Sequence, residues 1–204
     1  MLAKAPVAGQ VKTRLCPPCT PIEAAAAAEA ALADTLDAAI GAGADRVVIA
    51  LDGPPGPWLP SGVLVVDQGA GQLADRLARA WSHVHGGALQ IGMDTPQVTS
   101  ELLASCLDQL DRAEHDAVLG HAEDGGWWAI GLARADRRTF DGVPMSRPDT
   151  GARQQDHLEA LGLRVGELPV LRDVDTAEDA RAVAALAPGT RFAAVLHELG
   201  LVVA

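Results

Sequence analysis

Residues 1–15 read MLAKAPVAGQVKTRL, and this stretch decides the class of fold. It begins with a short apolar run, continues through a loop that carries Gly9, and leads to an alanine-rich segment that starts near Thr20. A strand, a glycine-bearing loop and a helix form the basic unit of α/β proteins, and such a loop presents backbone N–H groups to phosphates. Lys4 and Lys12, the only lysines of the chain, both lie here. The stretch predicts a nucleotide-phosphate site, although a glycine-rich match is weak and chance clustering of two lysines is the open alternative.

Strands and helices are expected to alternate downstream. Residues 20–23 read TPIE, which combines a cap, a first-turn proline and a capping-box glutamate, so a helix should extend from there to Gly41 or Gly43. Apolar spacing predicts further helices at 72–84, 99–110, 150–161, 177–186 and 190–199, and strands at 1–3, 46–51, 63–66, 88–92, 116–120, 127–132 and 163–168. An Asp-Gly step between the fifth and sixth strands favours a hairpin. The pattern predicts one α/β domain, residues 1–204, with a mostly parallel sheet covered by helices on both faces.

The composition excludes several classes of protein. A chain of 204 residues with 49% hydrophobic and 21% charged residues suits one globular domain. Its net charge of −11 argues against a nucleic-acid or anionic-membrane surface. No apolar run approaches the roughly 20 residues that cross a bilayer, and no signal-peptide pattern is present, so we expect a cytoplasmic protein. Cys16 and Cys19 have the spacing of a redox or metal-binding pair. Cys106 supplies no second pair, so reduced thiols are the simpler interpretation.

Two acidic segments are candidates for a metal site. Asp94 follows the strand predicted at 88–92, so it should lie where an α/β sheet binds its ligand. A carboxylate there can hold Mg²⁺ or Mn²⁺, which usually need only one or two protein carboxylates when phosphates complete the shell. Asp173 or Asp175 would complete such a site if its strand lies nearby. The alternatives are that Asp94 caps a turn and that Asp175 caps a helix.

Other polar residues could contact a substrate. Arg76, on the helix predicted at 72–84, can reach a phosphate or simply remain solvated. Glu123 and Asp124 precede the pair Gly125-Gly126, where the lack of side chains lets an acceptor approach the backbone. A plain hairpin turn is the competing explanation.

Four motifs occur in an order that is more specific than any one of them. They are KxPxxGxVKTRL at 4–15, IGMDTP at 91–96, GHAEDGGWWAIGL at 120–132 and DVDTxED at 173–179. Together they resemble a small bacterial glycosyltransferase-like family with the GT-A nucleotide-diphospho-sugar transferase fold, sometimes labelled arsenosugar-biosynthesis-type glycosyltransferases. The similarity spans nearly the whole chain. More distant relatives include guanylyltransferases, so the fold does not separate sugar transfer from nucleotidyl transfer.

The resemblance implies a role for each motif. It implies nucleotide binding by Ala3, Lys4, Gly9, Lys12, Thr13, Arg14, Gln68 and Arg76, metal binding by Asp94, Asp173 and Asp175, and contact with the sugar or acceptor by Glu123, Asp124, Gly125 and Gly126. The catalytic set is then Lys12, Arg14, Asp94 and Asp124. Lys12 and Arg14 would neutralise the diphosphate, and Asp124 or Glu123 would take the acceptor proton.

The expected reaction is metal-dependent transfer of a glycosyl group from a nucleotide-diphospho-sugar to a small acceptor. One alternative is nucleotidyl transfer from a nucleoside triphosphate with release of pyrophosphate, and another is nucleotide binding without catalysis. The expected partners are the nucleotide, the acceptor and, as a candidate assembly, a second copy of the chain. Three departures from the family stand out: the short first strand, Met145 in place of a Trp, and Trp127-Trp128 in place of two tyrosines.

Overall fold

A computed structural model describes residues 1–112 and 114–202. Within these residues the strands are β1 (Leu2–Lys4), β2 (Val48–Asp52), β3 (Leu64–Asp67), β4 (Ala88–Ile91), β5 (Ala117–Ala122), β6 (Trp127–Leu132) and β7 (Val165–Leu171). The α-helices are α1 (Pro21–Gly41), α2 (Leu73–Trp81), α3 (Ser100–Asp111), α4 (Thr150–Ala160), α5 (Ala177–Leu186) and α6 (Arg191–Glu198). The predicted order of elements is confirmed. No helix of the described residues is long and apolar enough to cross a membrane.

Helix α1 begins where its sequence predicts. Thr20 Oγ1 accepts a hydrogen bond from Glu23 N at 3.3 Å, and Thr20 N donates to Glu23 Oε2 at 2.7 Å, which is the predicted capping box. The buried side chains of α1 are mostly alanines, including Ala24, Ala27 and Ala31. Because these side chains are short, α1 can lie close to α6 and to Leu15 of the short 3-10 helix Thr13–Leu15.

The strands form two sheets. β1, β2 and β3 pair in parallel in the order β1-β2-β3, and the second sheet has the order β4-β6-β5-β7. β5 and β7 are parallel, whereas β6 runs antiparallel to both β4 and β5. The β5–β6 hairpin is therefore confirmed, and parallel pairing predominates as predicted. The separation into two sheets was not expected: among the described residues β1 pairs with β2 along three residues and with no strand of the second sheet.

Helices cover both faces of the second sheet. Val118 and Ala129 point to one face and pack with Leu103 and Cys106 of α3. The alternate positions Ala117, Leu119 and Ile130 point to the other face, where they pack with side chains of α2 and α4 such as Trp81 and Leu158. Successive residues of a strand point to opposite faces, so burial on both sides gives the nearly continuous apolar runs seen in the sequence.

A cavity lies beside Met1 at the amino ends of β2 and β4. It has a volume of about 920 Å³ and separates the first residues of β2 from those of β4. The Met1 amino group donates to Val48 O at 2.7 Å at its edge, and burial lowers the pKa of this amine to about 5. The residues predicted to carry function lie at the opposite ends of the strands.

An ion pair between Asp116 and Arg164 joins the entries of β5 and β7. Asp116 Oδ2 accepts from Arg164 Nε at 2.8 Å and from Arg164 N at 3.0 Å, and these hydrogen bonds lower the pKa of Asp116 to about 2. Since this pKa lies below the ordinary value of 3.8, the stabilisation is present above about pH 4 and is lost as the pH falls through about 2.

We expect Asp116→Asn to flatten the fall in the free energy of unfolding between pH 4 and pH 2, because it removes the group that takes up a proton on unfolding. Urea unfolding at several pH values measures this slope. Asp156→Asn, on the exposed surface of α4, is the matched control. A slope equal to that of the unaltered chain would contradict the assignment.

Candidate active site

A cleft of about 630 Å³ opens at the carboxyl ends of the parallel strands, where open α/β sheets bind ligands. Its walls include ten of the predicted site residues: Ala3, Lys4, Arg14, Gln68, Arg76, Asp94, Asp124, Gly126, Asp173 and Asp175. The other predicted residues, Gly9, Lys12, Thr13, Glu123 and Gly125, lie outside its lining. The fold thus gathers residues from five distant segments around one opening.

The loops that follow β4 and β7 meet at the centre of the cleft. β4 and β7 are the two edge strands of their sheet, with β6 and β5 between them. Val174 N nevertheless donates to Asp94 O at 2.8 Å, and Gln97 Nε2 donates to Arg172 O at 2.7 Å. These two bonds bring Asp94 next to Asp173, although their strands are not neighbours.

Asp173 lies in an unusual electrostatic environment. Burial raises its pKa most, and the nearby carboxylates of Asp94 and Asp124 raise it further, to about 7, although the charge of Lys12 opposes the shift. Asp173 Oδ1 and the buried Oγ1 of Thr95 have no hydrogen-bond partner. A shift of this size in a cleft is typical of a functional site.

Lys12 and Arg14 supply the positive charge at this point. Lys12 has a left-handed backbone (φ 48°, ψ 37°), and its ammonium contacts Asp94 Oδ1 at 2.5 Å as well as Val174 O. Arg14 Nη1 lies 2.9 Å from Asp175 Oδ2, and the Arg14 side chain is 75% exposed. Lys12 is therefore directed into the acidic cluster, while Arg14 extends along the open cleft.

The oxygen atoms of this cluster suit a hard divalent cation. Among the described residues, no group of three or more His, Cys, Asp or Glu side chains is already arranged as a metal site. Asp94 and Asp175 are instead held by Lys12 and Arg14. The unpartnered Asp173 Oδ1 and the carboxylate of Asp94 are nevertheless the donors that Mg²⁺ and Mn²⁺ prefer, with substrate phosphates as further ligands. The residues present therefore fit the predicted cation.

One end of the cleft is built around the buried Gln68. Its Nε2 donates to Ala3 O at 2.6 Å and to Ala50 O at 3.0 Å, so it joins β1 to β2. Arg76 Nη1 lies 3.4 Å from Asp52 Oδ2, which makes Asp52 a member of the site that sequence reasoning missed. The signal was available, because Asp52 ends β2.

The β5–β6 hairpin forms the other end. Asp124 Oδ1 accepts from Gly126 N at 2.8 Å, and Asp124 lines the cleft. Glu123 Oε2 instead binds Arg172 Nε at 2.6 Å, outside the cleft lining. Ser146, which has φ 58°, and Arg147 also line this end and were missed, and no local sequence signal indicates their position.

Residues 23–147 match a family model described as "Uncharacterized protein conserved in bacteria (DUF2064)". A search of the curated proteins found no match.

Several solved structures have a similar fold. A protein from Desulfovibrio desulfuricans G20, provisionally classed as a nucleotide-diphospho-sugar transferase, superimposes with a TM-score of 0.84 and 23% identity over 100% of this chain and 97% of that chain. CMP:2-keto-3-deoxy-manno-octonic acid synthetase complexed with CTP gives a TM-score of 0.57 and 15% identity over 91% and 96%. Rv0371c of Mycobacterium tuberculosis H37Rv, in a complex with manganese, gives 0.52 and 22% over 89% and 95%. At these identities the likeness shows the fold, which is that of the nucleotide-diphospho-sugar transferases.

The hairpin turn packs directly against the segment before α4. Gly125 has φ +87°, and a Cβ on it would lie 1.8 Å from Pro148 O. Its carbonyl also accepts from Gly151 N at 2.8 Å. The position of Asp124 and Gly126 in the cleft therefore depends on a glycine at 125.

We expect Gly125→Ala to lower the free energy of unfolding by about 1–3 kcal/mol more than Gly142→Ala does. Gly142 has a similar φ of +74° with nothing within 4 Å of its Cβ position, so it reports the backbone strain without the clash. Chemical unfolding of both variants measures the difference. Equal losses would show that the contact with Pro148 does not constrain the hairpin.

Proposed function

We propose that this chain, which belongs to the DUF2064 family of bacterial proteins, transfers a glycosyl group from a nucleotide-diphospho-sugar to a small acceptor. The observation that carries the proposal is the single cleft in which the cluster of Asp94, Asp173 and Asp175 lies between the Gln68 end and the hairpin end. This arrangement suits a substrate whose charged diphosphate lies between a nucleoside and a sugar. The fold shared with a protein provisionally classed as a nucleotide-diphospho-sugar transferase supports it.

The nucleoside is assigned to the Gln68 end. Gln68 uses its amide nitrogen to join β1 and β2, so its role is to hold the strand ends. Lys4 and the ion pair of Asp52 with Arg76 line the cleft at this end, where they would contact the base and ribose. Ala3 contributes through its backbone, because its carbonyl accepts from Gln68. The predicted contacts of Gly9 and Thr13 stay predictions of loop N–H groups near the phosphates.

The diphosphate is assigned to the centre of the cleft. Arg14, which is largely exposed, can move from Asp175 to a phosphate oxygen without losing packing. Asp94, Asp173 and Asp175 would hold Mg²⁺ or Mn²⁺, which stabilises the negative charge that develops on the leaving nucleoside diphosphate. A manganese complex of a protein with a similar fold supports this choice of cation.

Asp124 is the preferred base for the acceptor hydroxyl. It lines the cleft, whereas the Glu123 carboxylate is occupied by Arg172. The neighbouring Gly126 leaves room for the acceptor beside Asp124, and Trp127 provides an apolar wall. A proton moves from the acceptor hydroxyl to an Asp124 oxygen as the acceptor oxygen bonds to the anomeric carbon, and the bond from that carbon to the diphosphate breaks to release the nucleoside diphosphate.

Nucleotidyl transfer is the second candidate, and it is favoured by the similar fold of a synthetase complexed with CTP. The same residues would then bind a nucleoside triphosphate, and an acceptor oxygen would attack the α-phosphorus. Release of pyrophosphate identifies this reaction, and release of a nucleoside diphosphate identifies glycosyl transfer. Multiple turnover of either kind excludes a protein that only binds nucleotides.

The cytoplasmic location and the homodimer stay predictions from the sequence.

We expect Asp94→Asn to lower kcat/KM by about a hundredfold or more, because a contribution of several kcal/mol from the bound cation would be lost. The assay measures nucleoside diphosphate released from a panel of nucleotide sugars with Mg²⁺ or Mn²⁺. Asp156→Asn, an exposed carboxylate on α4, should retain full turnover. Undiminished turnover in Asp94→Asn would refute the metal assignment.

A further inference from the structure

Lys12 is held more firmly than a phosphate-binding lysine would be expected to be. Its side chain is only 7% exposed, and its ammonium contacts Asp94 Oδ1 at 2.5 Å and the carbonyl of Val174. A buried lysine requires such partners. Burial removes water from its ammonium, and only hydrogen bonds or an opposite charge can compensate for that loss. The arrangement thus directs the charge of Lys12 at the Asp94 carboxylate, while Lys12 itself lies outside the lining of the cleft.

The ammonium lies where a divalent cation would be attracted. Asp94 is in direct contact with it, and Asp173 is close enough for the two charges to interact. A cation bound to the same carboxylate oxygen would lie within a few ångströms of the ammonium, and like charges at that separation repel each other. Because the ammonium already contacts Asp94 Oδ1, a cation can take this oxygen only when the ammonium leaves it.

We propose that Lys12 and the divalent cation are alternative partners of Asp94, so that metal binding releases the Lys12 ammonium into the cleft. The inference rests on the metal-dependent function proposed above. The surroundings of Lys12 permit the movement: Gln10 and Thr13 are exposed, and the lysine side chain can rotate about its own bonds. The released ammonium would lie in the same segment as Arg14, beside the proposed position of the diphosphate.

This exchange has a functional consequence. Lys12 neutralises Asp94 before the cation arrives, and it becomes available to a phosphate only after the cation is bound. Metal and diphosphate would then bind cooperatively, because each favours the same position of Lys12. If Lys12 is instead a fixed brace between Asp94 and Val174, its contacts would be unaffected by metal.

Amine labelling of the unaltered protein distinguishes these two cases. The chain has only two lysines, and the exposed Lys4 is an internal reference for the buried Lys12. With EDTA present, acetylation followed by mass spectrometry should modify Lys12 more slowly than Lys4. Saturating Mn²⁺ should raise the Lys12 rate about tenfold and leave the Lys4 rate unchanged. An unchanged Lys12 rate in the Mn²⁺-bound protein overturns the inference.

The affinity for Mn²⁺ provides a second readout. Electron paramagnetic resonance measures this affinity in the absence of nucleotide. Lys12→Met should bind Mn²⁺ about tenfold more tightly than the unaltered protein, because the ammonium that competes for Asp94 is gone. Arg112→Met, which removes one positive charge from an exposed pair with Asp108, should retain the original affinity. Equal affinity in Lys12→Met and the unaltered protein overturns this inference alone. Failure of both to bind Mn²⁺ overturns the metal-dependent function as well.

Discussion

The site depends on one backbone hydrogen bond, from Val174 N to Asp94 O, which joins the loops that follow β4 and β7. These are the edge strands of a four-stranded sheet, and three strand spacings would otherwise separate their ends by roughly 14 Å. Val174 is fully buried and packs in the apolar cluster formed by α1, α5 and α6. The alanine-rich layer of α1 therefore supports the site indirectly, because it holds the loop that carries Asp173 and Asp175.

Gathering carboxylates at this point has an electrostatic cost, and the structure shows how it is offset. Burial and the nearby acids raise the pKa of Asp173 to about 7, so part of the negative charge is suppressed near neutral pH. Lys12 neutralises Asp94 at the same time, in a left-handed backbone conformation that costs on the order of 1–3 kcal/mol for a residue other than glycine. The ion pair and the contact with Val174 O compensate for that strain. Because the charges of the site are balanced in this way, a bound cation would change the interactions of Lys12, Asp94 and Asp173 with one another.

The two ends of the cleft are built differently. The Gln68 end is tied to strands, since one buried amide holds the carbonyls of Ala3 and Ala50, and this rigidity suits recognition of a constant group such as a nucleoside. The hairpin end consists of loops, in which Gly125 packs against Pro148 and Ser146 has a positive φ. Loops tolerate sequence change better than strands, so this end suits the variable group of a substrate.

The sequence alone determined the features that depend on neighbouring residues. The capping box at Thr20, the β5–β6 hairpin and the position of Asp94 after β4 were predictable, because caps, turns and apolar spacing act over a few residues. The direction of the Lys12 side chain depends instead on the complete fold, since its partner Val174 is 162 residues away. The fold likewise decided that Asp52 lies beside Arg76 and that Glu123 is taken by Arg172, because these pairs join different elements. Local patterns select elements and their ends, whereas the contacts that give a charged side chain its role are made between segments that only folding brings together.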